Sequence, residues 1–155
     1  MKYLRLLLSM VLLALCLTAC SKGGKDITVD VNALAQKLQA EAVTSDSLTA
    51  TASEMLSSIY FVTDEQLAQG AAYMSSGATA CEVVVIECKE ASQTGDVEKL
   101  FKTRVANQSE LFASYNAGEV TKLDSAIIKS AGKYAVLCVC DDTAKAESIL
   151  KEAGF

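Results

Sequence analysis

Eight consecutive residues, Cys81-Glu82-Val83-Val84-Val85-Ile86-Glu87-Cys88, limit the fold of this chain more than any others. β-branched side chains are stiff at χ1 and suit the pleated surface of a sheet. Because strand side chains alternate between two faces, a nearly continuous apolar run predicts a central strand covered on both sides. The flanking segments must supply that cover.

Upstream, Asp30 reads as an N-cap, and Val31, Leu34, Ala35, Leu38 and Ala42 share one face of an amphipathic helix. A polar Ser/Thr stretch from Thr44 to Thr51 ends it, and Met55, Leu56, Ile59 and Tyr60 predict a shorter helical segment. Gln69–Met74 reads as an alanine-rich strand followed by the turn signal Ser75-Ser76-Gly77. Downstream of the central strand, Thr94 or Asp96 can cap a long helix. Its apolar stripe is Val97, Leu100, Phe101, Val105, Leu111, Phe112 and Tyr115, and Asn116-Ala117-Gly118 ends it. Ser125–Ser130 and Lys133–Cys140 predict a hairpin across Ala131-Gly132. A last helix, capped by Asp142 or Thr143, buries Ala146, Ile149, Leu150 and Ala153 and stops at Gly154. The expected fold is α+β, with N-terminal helices followed by ββαββα, as one domain whose antiparallel sheet is covered by helices.

The first 20 residues carry a different message. Lys2 and Arg5 precede an apolar run from Leu6 to Leu17, which is 12 residues and too short for the roughly 20 that span a bilayer. A charged start, a short apolar stretch and a small residue at the cut mark an export signal. Leu17-Thr18-Ala19-Cys20 resembles the bacterial lipobox. That resemblance implies cleavage behind Ala19, a diacylglyceryl thioether on Cys20, and a protein held on the extracytoplasmic face of the cell membrane by its lipid. An ordinary secretory signal would want a small residue where Leu17 stands. The expected organisation is a signal peptide at 1–19, a lipidated flexible tether at 20–29 and one domain at 30–155.

Removing residues 1–19 takes Lys2 and Arg5 away, so 14 basic residues become 12 against 19 acidic ones, a net charge of −7. Such a chain is not drawn to nucleic acid or to anionic headgroups. It contains no His, which removes the commonest general base and metal ligand. No cofactor and no metal site is expected: Cys81, Cys88, Cys138 and Cys140 are spaced C-x₆-C and C-x-C, unlike the paired knuckles of a four-thiolate zinc site. Two readings of these four stay open. Apolar surroundings favour buried thiols, whereas export favours a disulfide, for which Cys138 and Cys140 are too far apart within one strand.

Candidate chemistry is sparse. Ser130-Ala131-Gly132-Lys133 matches S-x-x-K, but it falls in a hairpin turn and lacks the accompanying S-D-N and K-T-G elements. Cys81 has Glu82 beside it and no activating base. Asp141-Asp142 reads as helix capping, and Glu82 with Glu87 as a carboxylate pair open to acid–base or cation chemistry. Arg104, the last arginine left after processing, reads as an ion-pair partner for Asp96 or Glu110, or as a clamp for an anionic ligand together with Gln108. Tyr60, Tyr73, Tyr115 and Tyr134 are scattered and form no stacking motif.

The order of these features carries a further resemblance. Tyr60 precedes Asp64; Ser76-Gly77-Ala78-Thr79-Ala80 leads into Glu82-Val83-Val84-Val85; Arg104, Gln108, Phe112 and Tyr115 share the long helix; Gly132-Lys133-Tyr134 opens the last strand. Over about Asp30 to Ala153 this resembles a family of short lipoproteins from Gram-positive, largely anaerobic bacteria, known as a domain of unknown function. The resemblance implies a lipoprotein with an α+β fold and reduced thiols, and it supplies no reaction. The leading expectation is a non-enzymatic binding or interaction domain whose partner is a protein or small molecule. The alternatives are a cell-envelope hydrolase working through carboxylates and a small-anion module built on Arg104 and Gln108, with Glu82 beside them.

Overall fold

The computed structural model describes residues 27–155. The signal segment, Cys20 and the tether as far as Asp26 lie outside the described residues. Among those described, no helix is long and apolar enough to cross a membrane.

Five strands form one antiparallel sheet in the order β1-β2-β3-β5-β4. They are β1 (Thr49–Ala50), β2 (Leu67–Met74), β3 (Glu82–Cys88), β4 (Ile127–Ala131) and β5 (Tyr134–Val139). Every residue of β3 and β5 is buried, as the β-branched run predicts, and the two pair centrally with Val84 opposite Leu137. Val83 and Val85 face one layer of helices while Val84, Ile86 and Cys88 face the other. Burial on both faces stabilises these strands at about 25 cal/mol per Å² of apolar surface removed from water.

One layer contains α1 (Val31–Ala42) and α5 (Thr143–Glu152). Asp30 caps α1 by accepting the amides of Asn32 and Ala33, both at 3.0 Å, and the five expected residues are its buried face. Val29 is buried and Ile27 packs beside it, so the ordered body reaches back into the segment expected as tether.

The opposite layer contains α2 (Leu56–Tyr60), α3 (Thr94–Tyr115) and α4 (Val120–Asp124). Leu56 comes so close to β2 that a Cβ on Gly70 would stand 3.0 Å from its Cδ1 and 2.7 Å from that of Ile86. A larger residue at position 70 would make both side chains shift. The start of α3 is set by Glu90 and Gln93, which form a reciprocal capping box ahead of it, and not by Thr94 or Asp96.

Three features differ from expectation. β1 is a two-residue strand inside the stretch read as a helix-breaking loop; it completes one sheet edge by pairing Thr49 with Met74. α4 is a short additional helix after Asn116-Ala117-Gly118. Leu111 and Tyr115, placed in the buried stripe of α3, are half exposed. The reason is length. A helix of 22 residues runs about 33 Å, whereas a strand of seven spans about 23 Å, so the last turns of α3 project past the sheet.

Candidate functional site

The overhang of α3 creates a cleft. Its other side is the turn joining β2 to β3, and local chemistry makes that turn rigid. Asp46 accepts the Ser75 hydroxyl at 2.5 Å and the Thr79 hydroxyl at 2.7 Å, and these bonds hold its carboxyl below the usual range. Ser75 Oγ in turn accepts the amides of Gly77 at 3.2 Å and Thr79 at 3.1 Å. Gly77 has φ +105°, a conformation that residues with a Cβ rarely adopt. Glu119 takes the Ala80 amide at 2.9 Å, and the Tyr115 hydroxyl donates to Gly77 O at 3.4 Å.

The cleft encloses about 240 Å³ and is lined by Glu82, Arg104, Gln108, Leu111, Phe112 and Tyr115, with Met74 and the turn opposite. The three residues singled out as ligand contacts, Arg104, Gln108 and Glu82, are therefore brought together. Arg104 donates through Nε to Glu82 Oε1 at 2.6 Å, with both side chains largely buried. The guanidinium also lies over the Tyr60 ring, 5.1 Å from its centroid. Burial opposes the arginine's charge, but the Glu82 carboxylate more than compensates and its pKa is raised. Tyr60 is locked edge-on against Phe101 at 5.9 Å, and Phe112 and Tyr115 stack at 5.0 Å. Tyr60 and Tyr115 thus each pair with a single phenylalanine. Among the described residues Tyr60 Oη is buried with no partner in good hydrogen-bond geometry, although Glu82 lies near enough to act on it; burial first, then that carboxylate, strongly disfavours its ionisation.

This geometry corrects the expected role of Arg104. Asp96 and Glu110 do not pair with it; Asp96 bonds Lys99 one turn away at 2.7 Å, and residues eight or six apart do not face each other on a helix. The true partner is on a strand 22 residues earlier in sequence. Beyond Arg104 and Gln108 a second cavity of about 140 Å³ opens, edged by Ile59, Leu100 and the exposed Phe61, whose backbone is left-handed at φ 58°.

A second polar cluster escaped the sequence reading. Lys122 on α4 reaches Asp141 Oδ1 at 2.9 Å, Glu119 Oε2 at 3.1 Å, the Ser45 hydroxyl oxygen at 2.9 Å and Cys81 Sγ at 3.7 Å. Asp141 Oδ2 accepts the amides of Thr44 at 2.7 Å and Ser45 at 2.9 Å. Burial pushes the Asp141 carboxyl up, yet Lys122 and these donors outweigh it and the group ends well below its ordinary value. Lys122 is likewise raised against the effect of burial by Asp141 and Glu119, so it stays charged and cannot act as a base for Ser45. The cluster is a staple between α1, α4 and β5. Only Asp142 of the acidic pair caps α5, accepting the Lys145 amide at 2.8 Å; Asp141 belongs to the staple. Nothing local in sequence links Ser45, Lys122 and Asp141, so only the fold could reveal them.

The four cysteines are free and buried. Cys81, Cys138 and Cys140 lie in the α1/α5 layer and Cys88 in the other. Burial raises the Cys81 thiol and pushes Cys88 up to about 11, away from nucleophilic thiolates. Ser130 donates to Glu98 at 2.6 Å while Lys133 pairs with Glu87, so the S-x-x-K residues serve separate partners. Among the described residues no three His, Cys, Asp or Glu side chains group to hold a metal ion.

Residues 41–140 match the family model of a domain of unknown function, DUF4358, and the chain belongs to that family. The match spans the sheet, the cleft and Lys122, and ends one residue before its partner Asp141. Comparison with curated proteins and with solved structures returned no match.

Proposed function

We propose that this protein is a lipoprotein, anchored through Cys20 on the extracytoplasmic face of a Gram-positive cell membrane, whose folded domain binds a small polar ligand without transforming it. The anchor reading is supported by Leu17-Thr18-Ala19-Cys20 and the short apolar run before it. The observation that carries the binding reading is the convergence of Glu82, Arg104 and Gln108 in one cleft with apolar walls. At about 240 Å³ it is smaller than the roughly 300–1,000 Å³ of sites for drug-sized ligands, which suits a small molecule or the end of a larger one. A carboxylate hydrolase is less well supported. Among the described residues Glu82 is the single carboxylate lining the cleft and Arg104 engages it, whereas that chemistry wants two carboxyl groups roughly 5–10 Å apart.

Two measurements test this. Mass spectrometry of the membrane fraction should find a diacylglyceryl adduct on Cys20, and Cys20→Ala should release the chain; an unmodified soluble product starting elsewhere overturns the anchor. Native mass spectrometry of the full-length protein should find a retained small molecule that is depleted in Gln108→Leu. Identical bare masses for both proteins would overturn the binding reading.

A further inference from the structure

We infer that the cleft selects a ligand carrying both charges, an α-amino carboxylate group with an apolar side chain, over a simple anion. The inference rests on the reading of the cleft as a binding site. Its lining holds one cation and one anion, Arg104 and Glu82, and among the described residues no other charged side chain lines it, so their charges balance. Each partner keeps capacity in reserve. Arg104 reaches Glu82 through Nε alone; among the described residues its Nη groups have no hydrogen-bond partner and are not sealed from solvent. Glu82 uses Oε1 and leaves Oε2 outside the bond. The half-buried Gln108 amide makes no hydrogen bond among the described residues, leaving a donor and an acceptor beside them.

An inorganic anion placed here would gain Arg104 but meet Glu82 at close range. A zwitterion satisfies both: its carboxylate takes the Nη edge in two parallel bonds, and its ammonium takes Glu82 Oε2 and the Gln108 carbonyl. The side chain then rests on Leu111, Phe112 and Tyr115, of which Leu111 and Tyr115 are otherwise half exposed. Free amino acids and the zwitterionic end of a larger envelope molecule share this chemistry.

The test is isothermal titration of the full-length protein in detergent with L-leucine, N-acetyl-L-leucine, L-leucinamide and inorganic phosphate. Leucine should bind at least about tenfold more tightly than either singly charged derivative, and phosphate should not compete. Gln108→Leu should weaken leucine by about tenfold with unchanged thermal stability. Glu82→Gln, if folded by circular dichroism, should reverse the order in favour of N-acetyl-L-leucine. Equal or tighter binding of phosphate or N-acetyl-L-leucine to the native protein overturns the inference, and so does silence from all four probes. In that last case a retained ligand in the native mass spectrum would leave the binding reading standing, and its mass distinguishes a free amino acid from a larger source.

Discussion

Arg104, in the middle of α3, donates its Nε to Glu82 at the first position of β3, 2.6 Å away, tying the long helix to the strand that organises the sheet. Removing one member of a largely buried pair leaves the other's charge without its partner. Arg104→Met should therefore destabilise the fold by about 3 kcal/mol, while Arg104→Met combined with Glu82→Met recovers most of the loss. Urea denaturation of the two single variants and the double variant checks this. Additive losses would show that the pair contributes no coupling.

Tyr60 offers a sharper contrast, because its ring has partners and its hydroxyl, among the described residues, has none in good hydrogen-bond geometry. Tyr60→Phe should leave stability unchanged or raise it by up to about 1 kcal/mol, since a buried unpartnered donor is lost. Tyr60→Ala should cost about 3–5 kcal/mol by opening a cavity under Arg104. Thermal melts of both variants decide; a large loss in the phenylalanine variant would mean that the hydroxyl has a partner in solution.

Asp141 contributes to the acid behaviour alongside other lowered carboxylates such as Asp46. The Asp141 carboxyl is held below the ordinary value of 3.8, so the ionised form is favoured by folding. The stabilisation is complete above that value and is lost as pH falls below it towards the lower folded value. Melting temperature should thus drop on acidification below about pH 4. Asp141→Asn should melt lower at neutral pH and show a shallower acid limb. Parallel acid limbs in the two proteins would place the titrating group elsewhere.

The thiols give a chemical prediction. Cys81, Cys88, Cys138 and Cys140 are buried and free, and burial disfavours the thiolates of Cys81 and Cys88. Iodoacetamide should leave all four untouched in the native protein and label all four in guanidinium without reductant. Labelling that requires a reductant would reveal a disulfide.

How much of this was legible depends on the range of the interaction. β3 was readable because burial on both faces demands a β-branched run, and α1 because Asp30 and its apolar face announce it. The helix and strand order from β2 to α5, apart from α4, followed from local period. What was not legible was set by partners distant in sequence: Glu82 with Arg104, Ser45 with Asp141. β1 was missed because two residues carry no period, and its existence comes from the edge of β2. The cleft was half readable. Its polar members could be named, but the exposure of Leu111 and Tyr115 depended on how far α3 outruns the sheet.

The packing of Ile27 has a geographical consequence. Ile27 lies against Gly154 in the α1/α5 layer, whereas Arg104 and the cleft belong to the α3 layer across the sheet. The sheet is a partition between the side where the chain enters and the side where the cleft opens. From Cys20 to Ile27 the backbone reaches at most about 25 Å. Under the proposed anchoring at Cys20, a reach this short would put the entry side of the sheet nearer the membrane than the cleft side. The same anchoring would put a fusion at Phe155, in the layer where the chain enters, on the membrane-facing side of the sheet.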